Sequence, residues 1–306
     1  MQKKIDFTNC KKLMSKAYNG ANGKKIAIEY EGEQYMLKFP PSAKQKANAL
    51  SYSNSCYSEH IASSIFNMLG IPAQKTMLGT YVVNGKEKIV CACKDFTVDG
   101  NNLYDFCSIK NTVIDSEHGG TGTELTDLLE TIEKQDFVNP NTLREYFWDM
   151  FAADAFLGNF DRHNGNWGFI VDSSGNSEIA PIYDCGSCLL PQADEKIMKD
   201  ILTSEEEMNS RIYVFPTSAI KHGDKKINYY DFLMKGEYPE CTEALVRIGN
   251  RIDMKAICEF IDGTPYLTDL QREFYKRYLA ERENKLILPS MEQVEQQEQE
   301  QGIQFS

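Results

Sequence analysis

"GNFDRHNGNWGF" (residues 158–169) crowds an Asp, a His and two Asn into six positions, between stretches that otherwise read as buried. Upstream, "LREYFWDMFAADAFLG" (143–158) has apolar residues at 143, 147, 150, 151 and 157, the spacing of a buried helix, with Thr142 and Glu145 as a capping box at its start. Downstream, "WGFIVD" (167–172) and "EIAPIYD" (178–184) read as two strands joined by a Ser-Ser-Gly-Asn turn. Centring that turn on Ser174 and Gly175 sets residue 172 against 178, and Asn166 against Asp184 at the open end of the ribbon. Directly opposed Cβ atoms lie ~4.5–5.5 Å apart, a span that one divalent cation bridges through two oxygen ligands. An Asn oxygen and an Asp carboxylate are hard ligands of the kind Mg²⁺ takes, its shell being completed by water and substrate phosphates. Asp161, off the metal but in the same small volume, is the residue to orient an incoming hydroxyl and accept its proton. Turn chemistry alone also draws Asp and Asn to such a loop, so the rest of the chain has to decide.

Phosphoryl transfer is mostly positioning and charge neutralisation, and it needs a phosphate-binding loop, a strand lysine and a glutamate that fixes that lysine. "NGANGKK" (19–25) offers the loop: Gly20 and Gly23, with Ala21 and Asn22 between them, let backbone N–H groups approach phosphate oxygens, although an ordinary turn reads the same way. "KKIAIEYEGEQYMLKFP" (24–40) and "GTYVVNGKEKIVCACKDF" (79–96) read as antiparallel hairpins turning at Glu31-Gly32 and Asn84-Gly85. Between them "NSCYSEHIASSIFNMLGIP" (54–72) has helical spacing and stops at Gly70 and Pro72. Lys38 shares a strand face with Met36, and an inward lysine needs an anionic partner. Glu59, on the helix face of Ala62 and Phe66, points at the sheet and supplies one. In the competing reading each side chain snorkels to water at the edge of the lobe.

Taken together, "DRHNGN" (161–166), "YDCGS" (183–187), "YMLKFPP" (35–41), "ACKDF" (92–96) and "LPQADEK" (190–196) resemble the metal and nucleotide motifs of the HipA-like serine/threonine kinases, in particular the compact, stand-alone group of cell-translocating kinase A type; the likeness covers most of residues 5 to 288. It implies an α+β, bilobal protein-kinase-like fold with a small β-rich N-lobe and a larger, mainly helical C-lobe. It implies ATP and Mg²⁺ as cofactors, a Lys38–Glu59 ion pair, a hinge at Cys93, Lys94, Asp95 and Phe96 whose backbone meets the adenine, and His163 and Tyr183 bordering the nucleotide. It also implies autophosphorylation. Phosphoinositide kinases share a DRH-x-x-N loop, which keeps a lipid or small-molecule kinase as an alternative beside a catalytically silent nucleotide-binding regulator. HipA toxins carry an extra N-terminal subdomain and a DNA-binding antitoxin. This chain begins about twenty residues before its glycine loop, so those partners are not carried over, and a separately encoded regulatory partner is left open.

Charge and composition narrow the field further. With 33 basic and 45 acidic residues the formal charge is −12, which repels phosphate backbones and anionic bilayers, so the partner expected is a protein acceptor, the chain itself included, with neither nucleic acid nor membrane bound directly. No apolar run approaches a membrane span and the N-terminus has no apolar h-region. The chain therefore reads as cytoplasmic, or exported by a route its N-terminus does not show. Nine cysteines without a signal peptide favour reduced thiols, although Cys91-x-Cys93 and Cys185-x-x-Cys188 could in principle supply four thiolates to zinc. The expected divisions are residues 1–96 as N-lobe, a sheet plus one helix; 97–290 as C-lobe; and 291–306, rich in Gln and Glu, as a disordered tail. "DSEHGGTGTE" (115–124) reads as a surface loop within the C-lobe.

Overall fold

The computed structural model describes residues 4–14, 16, 24–41, 52–115, 118–294 and 296. The expected glycine loop, Gly20 to Gly23, lies outside the described residues, as do residues 297–306 of the tail.

Strand β1 (Lys11–Lys12) leads to β2 (Lys25–Tyr30) and β3 (Glu33–Lys38), then helix α1 (Ser55–Met68), β4 (Thr76–Val83) and β5 (Lys86–Lys94). The two expected turns form: Glu31 and Gly32 both adopt positive φ, as do Asn84 and Gly85, the backbone that matches strand twist in a two-residue hairpin. The strands assemble in the order β1-β2-β3-β5-β4. Alternation then separates two faces. Ile28, Leu37, Tyr81, Val90 and Ala92 pack with Phe7 on the outer one. Leu78, Cys91 and Cys93 face Cys56 of α1 on the other, with Met36 packed beside them.

Helix α1 does more than back the sheet. Its Ile61, Ala62, Ile65 and Phe66 belong to the same core as the C-terminal helices. The expected N-lobe is thus stapled to the helical part of the molecule through this helix. Gly70 ends it in the left-handed conformation.

The C-terminal part begins with β6 (Asn102–Asp105) and α2 (Phe106–Val113), followed by α3 (Leu125–Lys134) and α4 (Pro140–Leu157). Helix α4 starts earlier than its expected capping box. Asn139 caps it, its side chain accepting from the N–H groups of Asn141 and Thr142, with Pro140 as the first helical residue. Asn caps as well as Thr, and proline's fixed φ suits the first helical position, so the signal at Asn139-Pro140 outweighs the one at Thr142. Gly158 closes the helix in the left-handed region.

Next come β7 (Gly168–Val171) and β8 (Ser177–Ile179), which form with β6 a three-stranded sheet in the order β6-β7-β8. The expected register is corrected here: Val171 faces Ser177 and Phe169 faces Ile179, so the pairing is two residues out of step with residue 172 against 178. The cause is local. Asp172 Oδ1 accepts from the N–H groups of both Ser174 and Asn176 while Asp172 N donates to Asn176 O, which closes the turn between 172 and 176. Asn166 is not in the strand at all, lying instead in a 3₁₀ turn over Asn164–Asn166.

Helices α5 (Glu195–Thr203) and α6 (Glu205–Tyr213) precede a hairpin that the sequence reading passed over as helical, β9 (Thr217–His222) and β10 (Lys225–Asn228). Four helices complete the fold: α7 (Tyr229–Lys235), α8 (Pro239–Gly249), α9 (Met254–Gly263) and α10 (Asp269–Arg282). Beyond a π turn at Glu283–Ile287 the chain stays helical through residue 294, where Val294 is buried. That overturns the expectation of a disordered tail from residue 291, because an apolar residue at the right spacing anchors one more turn. The expected surface loop at 115–124 is exposed at His118 and Thr121 but not throughout its described residues. Gly120 is buried and its segment packs under residue 164, as described below. Among the described residues no helix is long and apolar enough to cross a membrane.

Candidate active site

The cleft between sheet and helices is organised from both sides. On the sheet side, strand alternation and the helical face of α1 converge as expected: Lys38 Nζ lies 2.9 Å from Glu59 Oε2. The same nitrogen donates to Asp184 Oδ1, also at 2.9 Å. Burial works against the Lys38 ammonium, and the carboxylates of Asp184 and Glu59 outweigh it and hold its pKa well above normal. Glu59 is almost fully buried, and its second oxygen, Oε1, has no hydrogen-bond partner among the described residues. Gly186 makes the approach of the two segments workable: a Cβ there would sit 3.2 Å from Glu59 Oε2.

Asp184 itself holds φ at +57°, a backbone region that Asp tolerates better than most residues and that costs on the order of 1 kcal/mol. The left-handed kink turns its carboxylate back to Lys38, whose charge draws the Asp184 pKa down to about 2.

On the helical side, the loop after α4 is built around a residue that the sequence reading did not single out. Arg162 is 2% exposed and pairs through Nε with Asp154 Oδ2 at 2.9 Å, while its Nη2 reaches Asp154 Oδ1. Its Nη1 donates both to Asn166 O, at 2.9 Å, and to Tyr183 O, at 2.7 Å. One guanidinium nitrogen therefore gathers the backbone of Asn166 and that of the residue before Asp184. The backbones that carry the two expected metal ligands are joined through this hub rather than through strand pairing. The signal was present, since a charged residue inside a stretch flanked by buried segments has to find partners; what the sequence lacked was the identity of those partners. Asp154, which helical periodicity turns inward, is the hub's carboxylate, and Asn159 Nδ2 donates to it as well.

The remaining loop side chains are individually committed. Asn166 Nδ2 donates to Asp161 O at 2.8 Å, which turns the amide oxygen the other way and leaves it as an acceptor. Asp161 is half-buried; burial raises its pKa, His163 opposes that, and the nearby Asp184 charge adds to it. His163 is exposed and its Nδ1 accepts from the N–H of Gly165, so the neutral ring carries its proton on Nε2. The other asparagine, Asn164, is structural: its amide donates to Gly120 O and Gly122 O. Tyr183 donates its hydroxyl to Gly165 O and lies 5.9 Å, centroid to centroid, from Phe96.

The expected hinge is largely occupied by the protein's own bonds. Cys93 is buried between β3 and β4, facing Met36 and Thr76. The Lys94 N–H donates to Lys75 O, the Asp95 N–H to Gln34 O, and Lys94 O accepts from Gln74 Nε2. The carboxylate of Asp95 accepts from Thr97 and pairs with Lys16. Within the expected span these bonds take up both backbone groups of Lys94 and the N–H of Asp95. Gln74, also unanticipated, ties the lobes together here, its backbone N–H donating to Ile182 O at 2.8 Å.

The cysteines sort into packing positions. Cys91 and Cys93 sulfurs lie 3.9 Å apart within the face under α1, and Cys185 Sγ accepts from Arg162 at 3.6 Å. All nine cysteines are free thiols. Among the described residues no cluster of three or more His, Cys, Asp or Glu side chains is arranged to hold a metal.

The HipA-like C-terminal domain family matches residues 11–252. The serine/threonine-protein kinase CtkA of Helicobacter pylori strain J99 is 50% identical over 285 residues, 92% of this chain and 86% of that protein. The crystal structure of a proinflammatory H. pylori kinase CtkA superposes with a TM-score of 0.90 at 48% identity, over 96% of this chain and 98% of that one. HipA of Shewanella oneidensis MR-1, solved with HipB and operator DNA, is 18% identical with a TM-score of 0.51 over 90% of this chain and 68% of that one, a likeness of fold alone.

Proposed function

The chain belongs to the HipA-like C-terminal domain family, and we propose that it transfers the γ-phosphate of ATP to serine or threonine hydroxyls of proteins, its own included, in a Mg²⁺-dependent reaction. The observation that carries this reading is the Lys38–Glu59–Asp184 cluster set opposite Asp161. The name borne by the half-identical H. pylori relative supports it.

Each group has a task that its surroundings suit. Glu59, buried and immobile on a helix shared with the larger core, fixes the Lys38 ammonium. Lys38 then exchanges Asp184 for phosphate oxygens when nucleotide arrives, and frees the Asp184 carboxylate. The residues fit a hard divalent cation: Asp184 is held ionised, its side chain 42% exposed to the cleft, and the Asn166 amide is turned oxygen-outward by its bond to Asp161 O. Asn166 Oδ1 and the Asp184 carboxylate would hold Mg²⁺, which when bound supplies charge neutralisation at the phosphoryl oxygens. Asp161 orients the acceptor hydroxyl and takes its proton; its raised pKa brings it towards the pH at which a base both stays ionised and accepts a proton readily. Phe96 and Tyr183 provide an aromatic flank for the base, and His163 borders the phosphate side.

With nine free thiols the protein suits a reducing compartment such as the cytoplasm. Incubation with γ-labelled ATP and Mg²⁺, with itself, a generic protein or phosphoinositide vesicles as acceptor, tests the reading. Label on protein, lost by about 10²–10⁴-fold in Asp161→Ala, is the expected result. Label confined to lipid, or undiminished transfer in Asp161→Ala, would overturn it.

A further inference from the structure

The hairpin β9–β10 is basic in an otherwise acidic molecule: "TSAIKHGDKKIN" (217–228) holds Lys221, Lys225 and Lys226 against one Asp, in a chain of net charge −12. Alternation buries Ser218, Ile220 and Ile227, which puts Lys221 and Lys226 together on the opposite face. They are directly opposed in the strand register. Like charges so placed repel and destabilise a ribbon unless an anion joins them. Among the described residues neither ammonium group takes part in an ion pair or hydrogen bond. Glu124, in the segment that supports the ribbon, accepts from the N–H groups of Gly223 and Asp224 at the hairpin tip.

The ribbon is also rigidly tied to the loop that carries Asp161. Lys221 N donates to Thr123 O and Thr123 Oγ1 to Ala219 O, while Asn164 bonds the same segment through Gly120 and Gly122. At the hairpin's other end, Tyr229 donates to Asn159 O at 2.6 Å, and Phe215 packs on Phe160 with ring centroids 5.5 Å apart. Asn159 and Phe160 are the residues just before Asp161.

We propose that this hairpin is a docking site for acidic segments of the acceptor protein, Lys221 and Lys226 receiving Glu or Asp side chains that flank the serine or threonine presented to Asp161. The charge of Lys226 reaches Asp161 and counteracts the rise in its pKa, in keeping with the ties between the ribbon and the loop that carries that carboxylate. The assignment gives substrate preference to the otherwise unspecified kinase reading, and rests on it.

The test has a binding arm and a turnover arm. Labelled peptides with Ser flanked by Glu, by Ala or by Lys are titrated by fluorescence anisotropy against the full chain and against Lys221→Glu/Lys226→Glu, and the same peptides are assayed as acceptors. The wild type should bind and phosphorylate the acidic peptide in preference to the neutral one. The double variant should lower that preference about tenfold, from two ion pairs lost and two repulsions gained, and favour the Lys-flanked peptide. Lys221→Arg/Lys226→Arg should retain the acidic preference, and added salt should weaken it. Equal binding of acidic and neutral peptides by the wild type, or a preference unchanged in the Glu variant, would overturn the docking site even if phosphate is transferred. Acid-selective binding without any transfer would uphold the docking site and sink the kinase reading instead.

Discussion

Two ion pairs of similar chemistry flank the Asp161–Asn166 loop and do opposite work. Asp154 and Arg162 are 1% and 2% exposed, and every face of the guanidinium is taken by protein acceptors, so nothing from solution can replace a partner. Lys38 and Asp184 meet at the same 2.9 Å, yet Asp184 keeps 42% of its side chain open to the cleft. Closure makes the first pair a fastener that fixes the backbone of Asn166 and Tyr183. Openness leaves the second exchangeable, as the proposed function needs: a phosphate would compete for the lysine and a cation for the carboxylate. Burial and satisfaction, rather than the identity of the charges, decide which pair is structural.

That contrast can be broken at either end. The largest effect is expected for Arg162→Met, which strands the Asp154 carboxylate in the core and should lower the unfolding free energy by about 3–5 kcal/mol in urea titration. Stability within about 1 kcal/mol of wild type would show that the hub is not the fastener described. Next, Asp184→Asn should reduce phosphoryl transfer by about 10²–10⁴-fold while shifting the urea midpoint little; a large stability loss with modest kinetic damage would invert the assignment of the two pairs.

Acid exposes a smaller difference. The Asp184 pKa is drawn down to about 2 from its ordinary value of 3.8, so the contribution of this pair is fully present above that ordinary value and is lost as pH falls towards 2. Screening of the half-open carboxylate limits it to about 1 kcal/mol. The acid limb of the stability curve should therefore flatten in Asp184→Asn by that amount and no more. Asp161 moves the other way: with its pKa raised, activity should begin to fall at a pH above the ordinary carboxylate range, measured as the acid limb of kcat. The smallest change is Gly186→Ala, whose Cβ would press on Glu59 Oε2 from 3.2 Å and should raise KM for ATP a few-fold through the displaced Lys38. An unaltered KM would mean that the pair has slack.

Legibility followed the range of the interactions. Glu31-Gly32 and Asn84-Gly85 were readable because a two-residue turn needs only its own φ angles. The Lys38–Glu59 meeting was readable because strand period and helix period each fix a direction towards a shared layer. The β7–β8 register was misread because one Asp side chain, bonded to two backbone N–H groups, closes the turn between 172 and 176. The β9–β10 hairpin escaped notice between helices, although Gly223-Asp224 between two alternating runs is the same kind of signal as the turns that were recognised. The hinge span was set by resemblance, and only the structure shows that Lys94 and the N–H of Asp95 are already bonded to Lys75, Gln34 and Gln74.

What the residues dictated unaided was a chemical inventory and its local geometry: hard oxygen ligands, an inward lysine, a buried glutamate, and the hairpins and helices that hold them. Which carboxylates stay open and which are sealed was settled only when the chain closed on itself. A guanidinium at 162 can choose among many acceptors in sequence, but three-dimensional packing offers it Asp154, Asn166 and Tyr183 and excludes water from all of them. The strength and exchangeability of a charge pair depend on that exclusion, and solvent access is a property of the assembled surface that no local pattern encodes.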